Sequence, residues 1–113
     1  AGAQTGRELP FQKWALTPPM GWNSWDCYGP TVVEDEVKAN TDYMAEKLAV
    51  YGWEYVVVDI RWFVENDKAE YNQTNPIYVY DEWGRYTPAL NRFPSAANGV
   101  VSAPWPTMCT ARD

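Results

Sequence analysis

Residues 54–60 read EYVVVDI, a β-branched run in which no polar residue alternates with the apolar ones. Such a run is typical of a strand that is covered on both faces, as in a parallel sheet. The predicted strand ends near Asp59, and in parallel α/β folds ligands bind at the carboxyl ends of the strands. This run therefore predicts an α/β fold with a ligand site close to Asp59.

A helix is predicted directly before this strand, over residues 32–50. Four apolar residues recur at helical spacing and predict a single apolar face: Val33, Val37, Met44 and Leu48. Thr31 and Glu34 fit a capping box at the start of the helix. Gly52 fits the C′ position at its end.

A short strand is predicted before the helix, at MGWNSW, residues 20–25. Pro18 and Pro19 favour extended backbone on entry, and Gly21 allows another backbone to approach closely. Strand, helix and strand in this order form a βαβ unit, whose crossover is right-handed. The two strands should therefore be parallel neighbours.

The segments on either side of this unit differ in character. Residues 1–15 are polar and weakly patterned, which indicates a lead-in segment. Residues 65–92 are too long for a plain turn between a strand and a helix. Within them, IYVYDEWGRYTP predicts a hairpin that doubles back at residues 81–84, close to the site.

The charge balance excludes two classes of partner. The net charge is −6 and the isoelectric point is near 4.5, whereas nucleic acids and anionic membranes bind clustered Lys and Arg. No run of the roughly 18 apolar residues that a membrane span requires is present. We therefore predict neither nucleic acid nor membrane as a partner.

Residue types also limit the chemistry. The chain contains no histidine, so it cannot itself supply an imidazole base or a His-ligated metal. Cys27 and Cys109 match no zinc spacing, and we expect neither a metal nor a cofactor. Seven Trp and eight Tyr indicate either a ring-rich core or a surface that stacks on sugars, because the C–H face of a pyranose packs on an indole.

Three motifs occur in a recognisable order: TPPMGWNSW at 17–25, YGWEYVVVDIRW at 51–62 and GRYTPALNRFPS at 84–95. Together they resemble glycoside hydrolase family 27, the α-galactosidase or melibiase family, and in particular its bacterial members. The resemblance covers residues 14–99. It implies that residues 16–99 are the start of a (β/α)8 TIM barrel, an N-terminal portion with about two strands and one helix.

The resemblance also implies roles for three residues. Trp25 would form a wall of the sugar pocket, and Asp59 would accept hydrogen bonds from sugar hydroxyls. Ile60 stands where typical α-galactosidases have a second aspartate that holds the C6 hydroxymethyl group. Ile60 either favours β-L-arabinopyranose, which lacks C6, or faces the barrel wall while another residue binds O6.

The family hydrolyses glycosides with retention of configuration by means of two carboxylates. The resemblance places both carboxylates on later strands, so we assign no catalytic residue in this chain and expect the 113-residue polypeptide to be inactive. The predicted parent activity is that of an α-galactosidase acting on a galactoside glycan. The alternatives are a β-L-arabinopyranosidase acting on an arabinopyranoside glycan and a non-catalytic carbohydrate-binding module. Secretion fits a bacterial enzyme of this kind, but the sequence does not decide localisation.

Residues 100–113, VVSAPWPTMCTARD, fit no part of the family pattern. With permitted codons, the neighbouring reading frame of this stretch encodes GFSPLADYVHGQG, the type of helix that the family has at this point. We hypothesise that a frameshift after about Gly99 produced a non-native tail; the alternative is a genuine, divergent C-terminus. Two strands and one helix alone would leave residues 54–60 with an open edge and an uncovered apolar face, so we expect the isolated chain to be unstable or to aggregate.

Overall fold

The computed structural model describes residues 9–69 and 74–98. Its regular elements are two strands and two helices: β1 (Gly21–Asn23), α1 (Trp25–Tyr28), α2 (Glu34–Lys47) and β2 (Tyr55–Val57). Short 3-10 turns lie at Pro10–Lys13, Gly29–Thr31, Ala49–Tyr51 and Pro94–Asn98. The proposed tail at 100–113 and Cys109 lie outside the described residues.

The two strands are parallel neighbours, as the sequence predicts. Gly21 pairs with Tyr55, and Asn23 pairs with Val57. A Cβ atom on Gly21 would lie 2.3 Å from the carbonyl oxygen of Tyr55, which is closer than any side chain could sit. Glycine is therefore required at position 21 for β1 to lie this close to β2. The prediction that Gly21 allows close approach of another backbone is confirmed.

Helix α2 lies inside the predicted span of 32–50, and its last part continues as the 3-10 turn at Ala49–Tyr51. Gly52 has a φ of 89° and ends the segment in the left-handed conformation, as predicted. Val37 and Met44 are buried on the predicted apolar face.

The predicted capping box between Thr31 and Glu34 is wrong. The Thr31 hydroxyl donates to the carbonyl oxygen of Tyr28, because a 3-10 turn precedes the helix and delays its start. The backbone N–H of Val33 instead donates to Oε2 of Glu36 at 2.9 Å. Glu34 therefore does not cap the helix, and its side chain is buried.

The core lies on one face of the sheet. Val32, Val37 and Phe93 form its buried centre. Partly buried side chains of both strands, of α1 and of the loop after β2 pack against it: Trp22, Tyr28, Val56, Val58 and Trp62. Helix α2 and the RFPS motif thus cover the same side of β1 and β2.

One face of β2 is uncovered in the described residues, as expected for two strands and one helix alone. Tyr55 is 50% exposed and Val57 is 45% exposed, because successive side chains of a strand point to opposite faces. Only the face of Val56 packs against the core. Among the described residues β1 is the one strand that pairs with β2, so the other edge is open, as expected.

The long connection after β2 doubles back as predicted. Antiparallel bridges join Val64 to Tyr78 and Tyr80 to Tyr86. A turn between Asp81 and Arg85 closes the hairpin, and the Asp81 N–H donates to the Arg85 carbonyl at 2.9 Å. No helix in the described ranges is long and apolar enough to cross a membrane.

Candidate sugar-binding site

Ser24 joins the carboxyl ends of the two parallel strands. Its backbone N–H donates to the carbonyl oxygen of Val57 at 3.0 Å, and its Oγ accepts from the backbone N–H of Asp59 at 3.0 Å. The side chain is completely buried. The chain segments that carry Trp25 and Asp59 are therefore fixed to each other at one end of the sheet.

Trp25 and Asp59 hold equivalent positions, since each lies two residues beyond the paired residues Asn23 and Val57. Trp25 is the first residue of α1, and its backbone N–H donates to Oδ1 of Asn23 at 2.8 Å. Both Trp25 and Asp59 are partly exposed. They are thus accessible from the solvent, and their roles in sugar binding remain a prediction.

Ile60 follows Asp59 directly and is 54% exposed. Its backbone N–H donates to Oδ1 of Asp59 at 2.7 Å. This bond orients one oxygen of the carboxylate towards its own main chain and leaves the other oxygen able to accept further hydrogen bonds. The role of Ile60 in sugar selection also remains a prediction.

Arg92 is a site residue that sequence reasoning missed. Only 7% of it is exposed, and its guanidinium donates to the carbonyl oxygens of Pro30 and Val32. The same group donates to the carbonyl oxygens of Arg61 at 2.8 Å and of Val64 at 3.1 Å. One side chain thereby connects the loop after α1 to the loop after β2.

Arg92 remains a cation in this position. Desolvation by burial lowers its pKa from the ordinary value, and the nearby carboxylates of Asp67 and Glu36 act in the opposite direction. A guanidinium does not lose its proton under these conditions. The signal that could have identified it is its place in the third motif, GRYTPALNRFPS, next to the core residue Phe93.

Arg61 shapes the chain immediately after the site. It has a φ of 73° and is the one non-glycine residue of the described chain with positive φ. Its Nη2 donates to Oδ1 of Asp67 at 2.9 Å, and its Nε donates to Oδ2 at 2.5 Å. Because the side chain of Asp67 is 1% exposed, this double contact neutralises a buried carboxylate.

Glu34 connects α2 to the third motif. It is 3% exposed, pairs with Lys38 and accepts from the Ser95 N–H at 2.9 Å. Burial alone would raise the pKa of Glu34, but the hydrogen bonds from Lys38 and Ser95 outweigh it and hold the pKa below its usual value. The described residues contain no group of His, Cys, Asp and Glu that could hold a metal ion.

Comparison with known proteins places these features in a family context. No family model matches the chain. It is 35% identical over 98 residues to the α-galactosidase of Coffea arabica, which covers 86% of the chain and 22% of that protein. It is 38% identical over 66 residues to α-galactosidase A of Cellvibrio japonicus, which covers 58% of the chain and 16% of that protein.

Among solved structures, a GH27 β-L-arabinopyranosidase variant from Geobacillus stearothermophilus, in complex with arabinose, superposes with a TM-score of 0.75. It is 52% identical, and the match covers 82% of this chain and 22% of that one. The chain thus spans about a fifth of the length of the proteins it matches.

Proposed function

The chain belongs to glycoside hydrolase family 27, and from this premise we propose that it is the N-terminal portion of a retaining exo-glycosidase that removes terminal α-D-galactosyl residues. Residues 16–99 would be the start of a (β/α)8 barrel, and residues 1–15 would lead into it. The observation that carries the proposal is the parallel pairing of β1 and β2, with Trp25 and Asp59 following their carboxyl ends.

The two residues would bind the terminal sugar in complementary ways. The indole of Trp25 offers an apolar wall for the C–H face of a pyranose. The carboxylate of Asp59 accepts hydrogen bonds from hydroxyl groups, and bonds to a charged acceptor are the stronger ones. In such a pocket Ser24 and Arg92 are positioning residues, because they hold the loops without touching the sugar.

Hydrolysis in this family requires a carboxylate nucleophile and a carboxylic acid that protonates the leaving oxygen, about 5 Å apart. We propose that both are supplied by parts of the barrel that this chain does not match. The 113-residue polypeptide should therefore bind sugar weakly and hydrolyse none.

A second candidate activity rests on Ile60. Its side chain accepts no hydrogen bond, so a C6 hydroxyl facing it would lose a partner, at a cost of about 1–3 kcal/mol. The family sugar without C6 is β-L-arabinopyranose. The parent enzyme would then be a β-L-arabinopyranosidase acting on an arabinopyranoside glycan.

The frameshift hypothesis supplies the experiment. Sequencing the coding DNA beyond Gly99 should reveal a second open frame that begins GFSPLADYVH, and a locus without such a frame would exclude the hypothesis. The restored enzyme should hydrolyse an aryl α-D-galactoside or an aryl β-L-arabinopyranoside, whereas the 113-residue chain should hydrolyse neither.

The Ile60→Asp variant of the restored enzyme separates the two candidate activities. Higher galactosidase activity in this variant, with arabinopyranosidase activity lowered, would support the role given to Ile60. If the ratio of the two activities is unchanged, Ile60 does not select the sugar. If the restored wild-type enzyme hydrolyses neither substrate, the proposed function is wrong.

A further inference from the structure

Two tyrosines of the hairpin after β2 lie directly opposite each other. An antiparallel bridge joins Tyr80 to Tyr86. In the described hairpin, the backbone hydrogen bonds around this bridge are made by the residues on either side of Tyr80 and Tyr86. The two tyrosines are thus a non-hydrogen-bonded pair, in which the Cα atoms approach to about 4.5 Å and the side chains lie closest. Their rings therefore project from the same face of the hairpin.

The two phenol rings are in contact and can be reached from solvent. They stack with centroids 5.2 Å apart and planes that differ by 26°. Phe63 stacks on Tyr86 with centroids 3.9 Å apart and supports that ring. Tyr80 is 51% exposed and Tyr86 is 48% exposed. A dissolved oxidant can therefore reach both phenols while each remains beside the other.

The hydroxyl groups of this pair also interact. Desolvation raises the pKa of Tyr80, and the charge of Tyr86 and a hydrogen bond with its side chain act in the same direction. The Tyr80 phenol therefore keeps its proton at neutral pH. The hydrogen bond holds the hydroxyl-bearing edges of the two rings together, and the ring carbons ortho to each hydroxyl lie on those edges.

We propose that Tyr80 and Tyr86 form an oxidative cross-linking site, at which a haem peroxidase with hydrogen peroxide joins the two phenols as dityrosine. Each phenol gives up one electron and one proton, which leaves two phenoxyl radicals. A carbon–carbon bond forms between their ortho carbons, and the hydrogen atoms on those carbons then move to the oxygens and restore both phenols. One peroxide takes up the two electrons and two protons and becomes two water molecules. The hairpin is then closed by a bond that thiol reductants do not break.

The geometry favours this pair over other tyrosines of the described chain. Tyr78 lies farther away, with ring centroids 6.2 Å from Tyr80 and 6.1 Å from Tyr86, and its plane is tilted by 49° and 47° from theirs. Tyr43 on α2 is 61% exposed, but it stacks on no ring within the described ranges. Because two radicals couple only where their rings meet, the stacked pair should react first.

Trypsin makes the product easy to identify. It cleaves after Arg85, between the two tyrosines. Tyr80 and Tyr86 then fall in separate fragments, residues 69–85 and residues 86–92, which the proposed bond joins with the loss of two hydrogen atoms. The experiment treats the dilute 113-residue chain with a haem peroxidase and hydrogen peroxide. The monomer is isolated on a denaturing gel and digested, and the joined fragments are measured by mass spectrometry.

We expect joined fragments from the wild-type monomer, with the bond between Tyr80 and Tyr86. Tyr80→Phe keeps the ring but forms no phenoxyl radical. The yield should therefore fall at least about tenfold, because Tyr78 does not match the effective concentration of a partner held in contact. Tyr78→Phe and Tyr43→Phe are the matched controls and should leave the yield unchanged. Each change removes one oxygen atom, so the variants test the chemistry and not the fold.

Three results would overturn the proposal. The first is the absence of joined fragments from the oxidised wild-type monomer. The second is an undiminished yield in Tyr80→Phe, and the third is an equal loss in Tyr78→Phe, because either would show that the contact between Tyr80 and Tyr86 does not direct the coupling.

Discussion

The ends of the two strands and the tip of the hairpin carry their exposed aromatic rings in different ways. At the strand ends, buried Ser24 and Arg92 hold the main chain through hydrogen bonds between segments that are distant in sequence. At the hairpin tip, Asp81 and Arg85 hold Trp83 through contacts within five residues. The first region depends on the whole fold for its geometry, whereas the second is specified locally.

This difference has a thermodynamic consequence. Changes at the strand ends should open several segments at once, while changes at the hairpin tip should remain local. The predictions below test this contrast through the rate of cleavage by dilute protease, which follows the population of locally opened states. The measurement does not require cooperative melting, which we do not expect of the isolated chain.

The largest effect is expected for Arg92→Met. The substitution removes the guanidinium donor from four carbonyl oxygens, of which that of Arg61 keeps the N–H of Val64. An unsatisfied buried acceptor costs about 1–3 kcal/mol. Cleavage in the loops after α1 and after β2 should both rise by at least about 100-fold, which corresponds to roughly 2.7 kcal/mol. Arg85→Met is the control, and equal acceleration by the two variants would contradict the contrast.

A somewhat smaller effect is expected for Gly21→Ala. The new Cβ would meet the Tyr55 carbonyl at 2.3 Å, and such overpacking costs about 1–3 kcal/mol. Gly52→Ala meets no atom within 4 Å but must adopt a φ of 89°, which costs about 1 kcal/mol. Hydrogen exchange of the β2 amides should therefore accelerate more in Gly21→Ala than in Gly52→Ala. The reverse order would exclude close backbone approach as the reason for Gly21.

Acid should loosen the contact between α2 and the third motif. The pKa of Glu34 in the folded chain lies below the ordinary value of 4.5, so its stabilising contribution is present above pH 4.5 and is lost as pH falls through the folded pKa. In the wild type, the rate of cleavage near Ser95 should rise as pH falls through the folded pKa of Glu34. In Glu34→Gln it should be faster at neutral pH and depend less on pH; an unchanged pH profile would contradict the role of Glu34.

The smallest effect is expected for Tyr80→Ala. Tyr80 is 51% exposed and stacks on Tyr86, which in turn stacks on Phe63. Loss of the Tyr80 ring should therefore cost about 0.5–1.5 kcal/mol. Cleavage should accelerate within the hairpin and remain unchanged in the loop after α1. Acceleration in both places would show that the hairpin is not a local unit.

Local features of the sequence could be predicted because their causes are local. The β-branched run at 54–60, the periodic apolar face of α2 and the glycines at 21 and 52 each impose one conformation on their own segment. The hairpin at 81–84 follows from its own turn residues. In all of these, the residues that decide the structure are adjacent to the structure they decide.

Other features could not be predicted because their causes are distant. Arg92 donates to carbonyls about 30 and 60 positions away, and no pattern in the adjacent residues of the sequence indicates these partners. Helix α2 begins later than the predicted capping box implies, because the Thr31 hydroxyl bonds within the preceding 3-10 turn. The Glu34 carboxylate accepts from the backbone N–H of Ser95 instead of capping the helix.

Position 61 is constrained from two directions at once. Its main chain is left-handed, which glycine would adopt most easily, yet its side chain must neutralise the enclosed carboxylate of Asp67 through two bonds. Glycine would relax the backbone and isolate a negative charge, and lysine would keep the charge but lose the forked geometry. Few substitutions of Arg61 should therefore be tolerated, in natural variants or in a mutant library. Neither the positive φ nor the pairing with Asp67 would by itself require arginine.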